Sequence, residues 1–150
     1  MNIKQKKFIL EKLIPFILRE EGRGFGMDVW LWSNMSEGSL AAYDGVVRKI
    51  PVCGTAACIG GSAQILLHPR PIMHMDWQKT AKDLGLPKRL AHGLFFVYTG
   101  SNNAPSWPKK FAREFEKAKT PFNKAQVATA LLKEVVKTNG RCLEAKHVSK

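Results

Sequence analysis

Two adjacent glycines inside a helix-like stretch constrain this chain more than any other feature. The segment "VCGTAACIGGSAQILLH", residues 52–68, reads as a helix that Thr55 caps and that Pro69 and Pro71 close. Gly60 and Gly61 each weaken such a helix by about 1 kcal/mol relative to alanine. Ala56, Ala57 and Ala63 leave much of its remaining surface bare. A helix stripped in this way belongs where something approaches its backbone closely. A neighbouring helix is preferred over a ligand as the group that does so.

Elsewhere the apolar residues recur mostly at helical spacing. Ile9/Leu10, Leu13/Ile14 and Ile17/Leu18 predict a helix over 3–21, with Pro15 expected to kink or split it. Asp76 is placed to cap the next helix and Gly85 to end it, and Pro87 fits the first turn of another. Ser106 is expected to cap "WPKKFAREFEKAK", where Trp107, Phe111, Phe115 and Ala118 form one apolar stripe. Thr120-Pro121 restarts the chain in a long helix with Phe122, Val127, Ala130/Leu131 and Val135 facing inward. Asp44-Gly45, between Leu40–Tyr43 and Val46–Ile50, is a hairpin signal. The fold class expected is therefore α+β: a predominantly helical single domain over 1–150 with a small β-hairpin near residues 40–50. A basic, frayed tail is expected over 141–150. A chain of 150 residues can bury such a core without disulfides or metals.

Charge is the strongest global signal. The net charge is +12, the sequence pI about 9.9, and the excess is uneven. Residues 1–75 hold nine Lys/Arg against six Asp/Glu, whereas residues 76–150 hold fifteen against six. A basic half points to a polyanionic partner. The opening "MNIKQKKFILEKLIPFILREE" is basic and then apolar, but Glu11 and Lys12 interrupt the apolar part. It reads as an amphipathic helix rather than a leader, and no apolar run has membrane-spanning length. The expected location is the cytoplasm, with no membrane partner.

The thiols invite two alternatives. Cys58 falls in the first helical turns, where a helix N-terminus lowers a thiol pKa, but no base among His68, His74 and His92 is paired with it by the sequence. Cys53, Cys58, His68 and His74 could together form a zinc set, although the spacing lacks a second cysteine pair. Inert structural cysteines are preferred over both, and no cofactor is called for.

The residues Phe25, Met27 and Trp30, followed by Cys53, Gly54, Thr55, Cys58, Ile59, Gly61 and Ala63, form a Phe-x-Met-x-x-Trp … Cys-Gly-Thr-x-x-Cys-x-x-Gly-x-Ala pattern. It resembles that of small uncharacterised proteins of bacteriophages and bacteria, over roughly residues 25–135. The chain departs from that pattern at Ser62, where a tryptophan is expected. The resemblance implies a compact helical fold and a phage or mobile-element setting, hence the host-cell cytoplasm, and it implies no activity.

The leading functional expectation is a non-enzymatic binding protein for a phosphate-bearing partner. That partner is nucleic acid, or a small anionic nucleotide sequestered in an anti-defence setting. The residues expected to carry it are Arg48, Lys49, Gly54, Thr55, Lys79, Lys82, Lys88, Arg89, Lys109, Lys110 and Arg113. Gly54 and Thr55 enter because unpaired amides at a helix start attract anions. Trp30, Trp32, Trp77 and Trp107 are candidate stacking partners for bases. The alternative is a phage-type inhibitor that blocks a host protein by surface interaction. A cysteine-dependent enzyme is the third reading.

Overall fold

A computed structural model of the chain describes residues 1–22, 25–26, 58–68, 76–95 and 107–144. Among these, 80% are helical and no strand or sheet is present. The α+β expectation is thus corrected to a helical fold. The hairpin signal near residues 40–50 lies outside the described residues. Asp-Gly is a local two-residue signal, whereas the helices are specified by apolar stripes several turns long.

The first helical stretch explains how Pro15 is accommodated. α1 (Ile3–Phe8) starts with a capping box: the Gln5 amide donates to Asn2 Oδ1 at 2.9 Å and the Asn2 amide donates to Gln5 Oε1 at 2.7 Å. A π-helical turn (Ile9–Leu13) follows, and then α2 (Ile14–Leu18). The Ile14 amide reaches back to the Ile9 carbonyl. Proline has no N–H for the carbonyl four residues earlier, and its ring would strike that carbonyl. Widening the preceding turn removes the conflict without a break, so the expected kink or split is replaced by a π turn. Ile9, Leu13, Ile14, Phe16 and Ile17 are all buried.

A 3-10 turn (Arg19–Gly22) reverses the chain with Glu20, Glu21 and Gly22 all at positive φ. Gly22 lies against the start of the longest helix. A Cβ there would meet Ala125 Cβ at 2.8 Å and the Pro121 carbonyl oxygen at 2.9 Å, so no side chain fits.

α3 (Ile59–Leu67) is the central helix. Ile59 through Ile65 are buried without interruption, as in a helix covered on every side. It touches α2, the π turn, α4 (Trp77–Asp83) and α5 (Lys88–Phe95). Gly60 and Gly61 are both buried within this helix.

Asp76 caps α4 as expected, accepting from the Lys79 amide at 2.9 Å. Gly85, at φ +67°, ends it. The Leu86 amide bonds to the Ala81 carbonyl and the Gly85 amide to that of Lys82, the Schellman pattern. α6 (Lys109–Lys117) lies on α7 (Pro121–Thr138), which also packs against α2. Thr120 caps α7, and left-handed Asn139 ends it. A 3-10 turn (Arg141–Leu143) then folds onto α5 and α7, with Leu143 fully buried. Packing therefore extends into the stretch expected to fray, as far as residue 143.

Candidate nucleic-acid interface

α6 lies at the surface, and none of its residues is buried. It is held by one stripe. Phe111, Ala112 and Phe115 are half-buried against the core. Trp107, just before the helix, is buried, donates Nε1–H to the Leu94 carbonyl at 3.0 Å and meets Phe115 edge-on at 5.1 Å. That anchor joins the start of α6 to the end of α5.

The opposite side carries the charge. With about 100° between successive residues, Lys109, Arg113, Lys117 and Lys110 fill one continuous arc of about 100°. All four are exposed, and Glu116 and Glu114 stand at the two borders of the arc. This arrangement works against the helix itself. The positive end of the helix dipole meets Lys109 and Lys110, and the first turn holds no acidic residue. Pro108 occupies the cap position and offers no side-chain acceptor. Ser106, expected as the cap, lies outside the described residues. Lys109/Arg113 and Arg113/Lys117 are like-charge pairs four apart, each unfavourable by about 0.2–0.5 kcal/mol.

The remaining sequence-predicted cations are differently placed. Lys82, Lys88 and Arg89 are exposed on α4 and α5, with Lys88 Nζ donating to Gln78 Oε1 at 2.6 Å. Those two helices pack with α3, whereas α6 packs with α7, so the two basic groups sit on separate helix pairs. Arg48, Lys49, Gly54 and Thr55 lie outside the described residues.

Lys79 belongs to a network that the sequence does not announce. Asp83 Oδ2 is 3.2 Å from Lys79 Nζ and 2.9 Å from His68 Nε2. Lys79 Nζ also lies 3.1 Å from His68 Nδ1. The same Nζ is 2.7 Å from His68 Nε2, so the ammonium sits against the ring edge as well as the carboxylate. The network ties the end of α3 to α4 and occupies the Lys79 ammonium. The four-residue spacing of Lys79 and Asp83 was visible in the sequence. His68 joins them only through tertiary packing.

The start of α3 also differs from expectation. Cys58, not Thr55, is the cap, its Sγ accepting from the Gly61 amide at 3.4 Å. The first turn is buried, so its amides face the interior rather than an anion in solvent. Burial pushes the Cys58 thiol up to about 11, despite the amides at its sulfur. A thiol that stays protonated at neutral pH is a poor nucleophile, which weighs against the cysteine-enzyme reading. His68 is engaged with Asp83, His92 packs edge-on to Trp77 at 5.7 Å, and His74 and Cys53 lie outside the described residues. Among the described residues no three His, Cys, Asp or Glu side chains gather in a metal-holding group. Phe25, Cys58, Ile59, Gly61 and Ala63 of the sequence pattern are all buried, so these positions serve the core.

No family model matches the chain, and no curated protein or solved structure does either. No helix among the described residues is long and apolar enough to cross a membrane.

Proposed function

We propose that this protein binds the phosphate backbone of a nucleic acid, with α6 as its principal contact and the exposed cations of α4 and α5 as secondary ones. The observation that carries the reading is the charge order of α6. Its cations crowd its positive end and repel one another along one face, so the helix is locally less stable than a neutralised version would be. Local arrangements that oppose folding occur where function requires them. A row of phosphates supplies the missing counter-charge.

A polymer is favoured over a free nucleotide by shape. A nucleotide is held by groups converging on an enclosing cavity. The cations of α6 instead diverge from a convex helix. The groove beside it, about 430 Å³ and shallow, is lined by one cation, Lys117, together with Glu114, Ala118, Asn123, Gln126, Val127 and Ala130.

The test is salt dependence. Each displaced counterion contributes about 0.7–0.9 to the slope of log K against log salt. Neutralising Lys109, Arg113 and Lys117 together with glutamine is expected to weaken binding and lower that slope by about 2–3. Binding with an unchanged slope would remove α6 from the interface.

A further inference from the structure

We infer that the nucleic acid is held as a single strand, with unpaired bases in the shallow trough between α6 and α7. This rests on the reading of α6 as a phosphate-binding helix and specifies which polymer it takes. Phosphates need only cations, and the α6 arc supplies them. The trough beside the arc offers groups that a phosphate does not use. Ala118, Val127 and Ala130 give it an apolar lining. Asn123 and Gln126 also line it; both are exposed, and neither side-chain amide is hydrogen-bonded among the described residues. Phe122 stands one turn before Gln126 on the same face of α7. Its spacing assigned it to the interior, yet it is 38% exposed. Among the described residues it is the only exposed phenylalanine or tryptophan. Proteins that hold single strands combine cations with rings on which bases stack.

The order of these groups across the surface favours a strand over a duplex. At about 100° per residue, Lys109, Arg113, Lys117 and Lys110 are followed around α6 by Glu114. Glu114 and Lys117 both line the trough. The surface therefore passes from cations to a carboxylate and free amides, and then to apolar side chains. A single strand presents its parts in the same order: phosphate, the polar edge of a base, and its flat face. Glu114 repels phosphate, which keeps the backbone over the arc, and it can accept a hydrogen bond from a base amino group. Asn123 and Gln126 can pair with base edges that no partner strand occupies. In a duplex those edges are paired and the faces stacked, so the trough and Phe122 would find nothing to hold.

The experiment compares four probes at equal salt: a mixed-sequence DNA single strand, a stable abasic strand of the same length, the corresponding duplex, and heparin. The strand with bases is expected to bind about tenfold or more tighter than the abasic strand, as stacking of a single base would give. It should also bind more tightly than the duplex. Phe122→Ala should erase most of the advantage over the abasic strand while leaving the salt slope unchanged, because no charge is lost. Phe122→Trp should keep the advantage. Both variants should melt close to the parent, since the side chain they alter is exposed. Equal binding of the strand and its abasic counterpart, a duplex bound as tightly as the strand, or an advantage indifferent to Phe122→Ala would overturn the inference and leave the phosphate-binding reading standing. Failure to bind any of the four would refute both.

Discussion

Lys109→Glu is expected to make the protein more stable while weakening its hold on nucleic acid. Lys109 is the first residue of α6, exposed, and preceded by a proline without a capping side chain. Replacing a cation by an anion in a first turn exchanges an unfavourable dipole interaction for a favourable one, about 0.3–1 kcal/mol. The substitution also converts the Lys109/Arg113 repulsion into an attraction with the acidic partner N-terminal, the better orientation. That change adds about 0.4–1 kcal/mol, twice the value of one pair. The combined gain is about 1 kcal/mol, which in a domain of this size raises Tm by about 2–4 °C. Thermal and urea melts at low salt would measure it, and added salt should shrink the gain by screening. An unchanged or lowered Tm would mean that the charge order of α6 carries no local penalty, and the case for a functional cause would fall with it.

Three further outcomes are expected. Cys58, whose thiol is near 11 in the fold against an ordinary 9.0, should ionise in the unfolded chain first. Its contribution is therefore intact below pH 9 and lost as pH rises through 11, by about 3 kcal/mol in all. Cys58→Ala should lack that part of the alkaline loss, and a parallel pH profile for parent and variant would contradict the buried thiol. Gly85→Ala should cost about 2 kcal/mol, since it forces an alanine to positive φ and displaces the Gln5 side chain from its bond to the Asn2 amide. A Tm drop of less than 1 °C would argue against that contact. Lys79→Gln should lower stability through the loss of its Asp83 and His68 contacts, yet change the DNA salt slope less than Lys109→Gln does; the opposite order would assign Lys79 to the interface.

Those outcomes separate what could be read along the chain from what could not. The stripe Trp107, Phe111, Phe115, the cap Asp76 and the restart at Thr120-Pro121 are local patterns, and each appears in the fold where the sequence placed it. Gly85 is legible for the same reason, because a left-handed residue is needed to close a helix with the Schellman pattern. The start of α3 was misplaced because Thr55 is a conventional cap and cysteine is not, so local preference pointed three residues too early. Pro15 announced a disturbance without saying how the backbone would resolve it. The α+β expectation rested on one Asp-Gly pair with no apolar stripe long enough to support a sheet. Lys79 looked equivalent to Lys109 in the sequence, and only packing of the end of α3 against α4 reveals that its charge is already engaged. The four-residue spacing of Lys109, Arg113 and Lys117 was legible, but that the face stays exposed depends on how α6 docks on α7.

The most direct measurement is the affinity of the purified protein for a short DNA oligonucleotide across about 50 to 200 mM salt, taken in parallel on the parent and on the variant with Lys109, Arg113 and Lys117 all changed to glutamine. We expect a linear log–log dependence for the parent and a slope smaller by about 2–3 for the variant, with the variant folded and at least as stable. Equal slopes, or a parent that does not bind, would contradict α6 as a phosphate-binding helix.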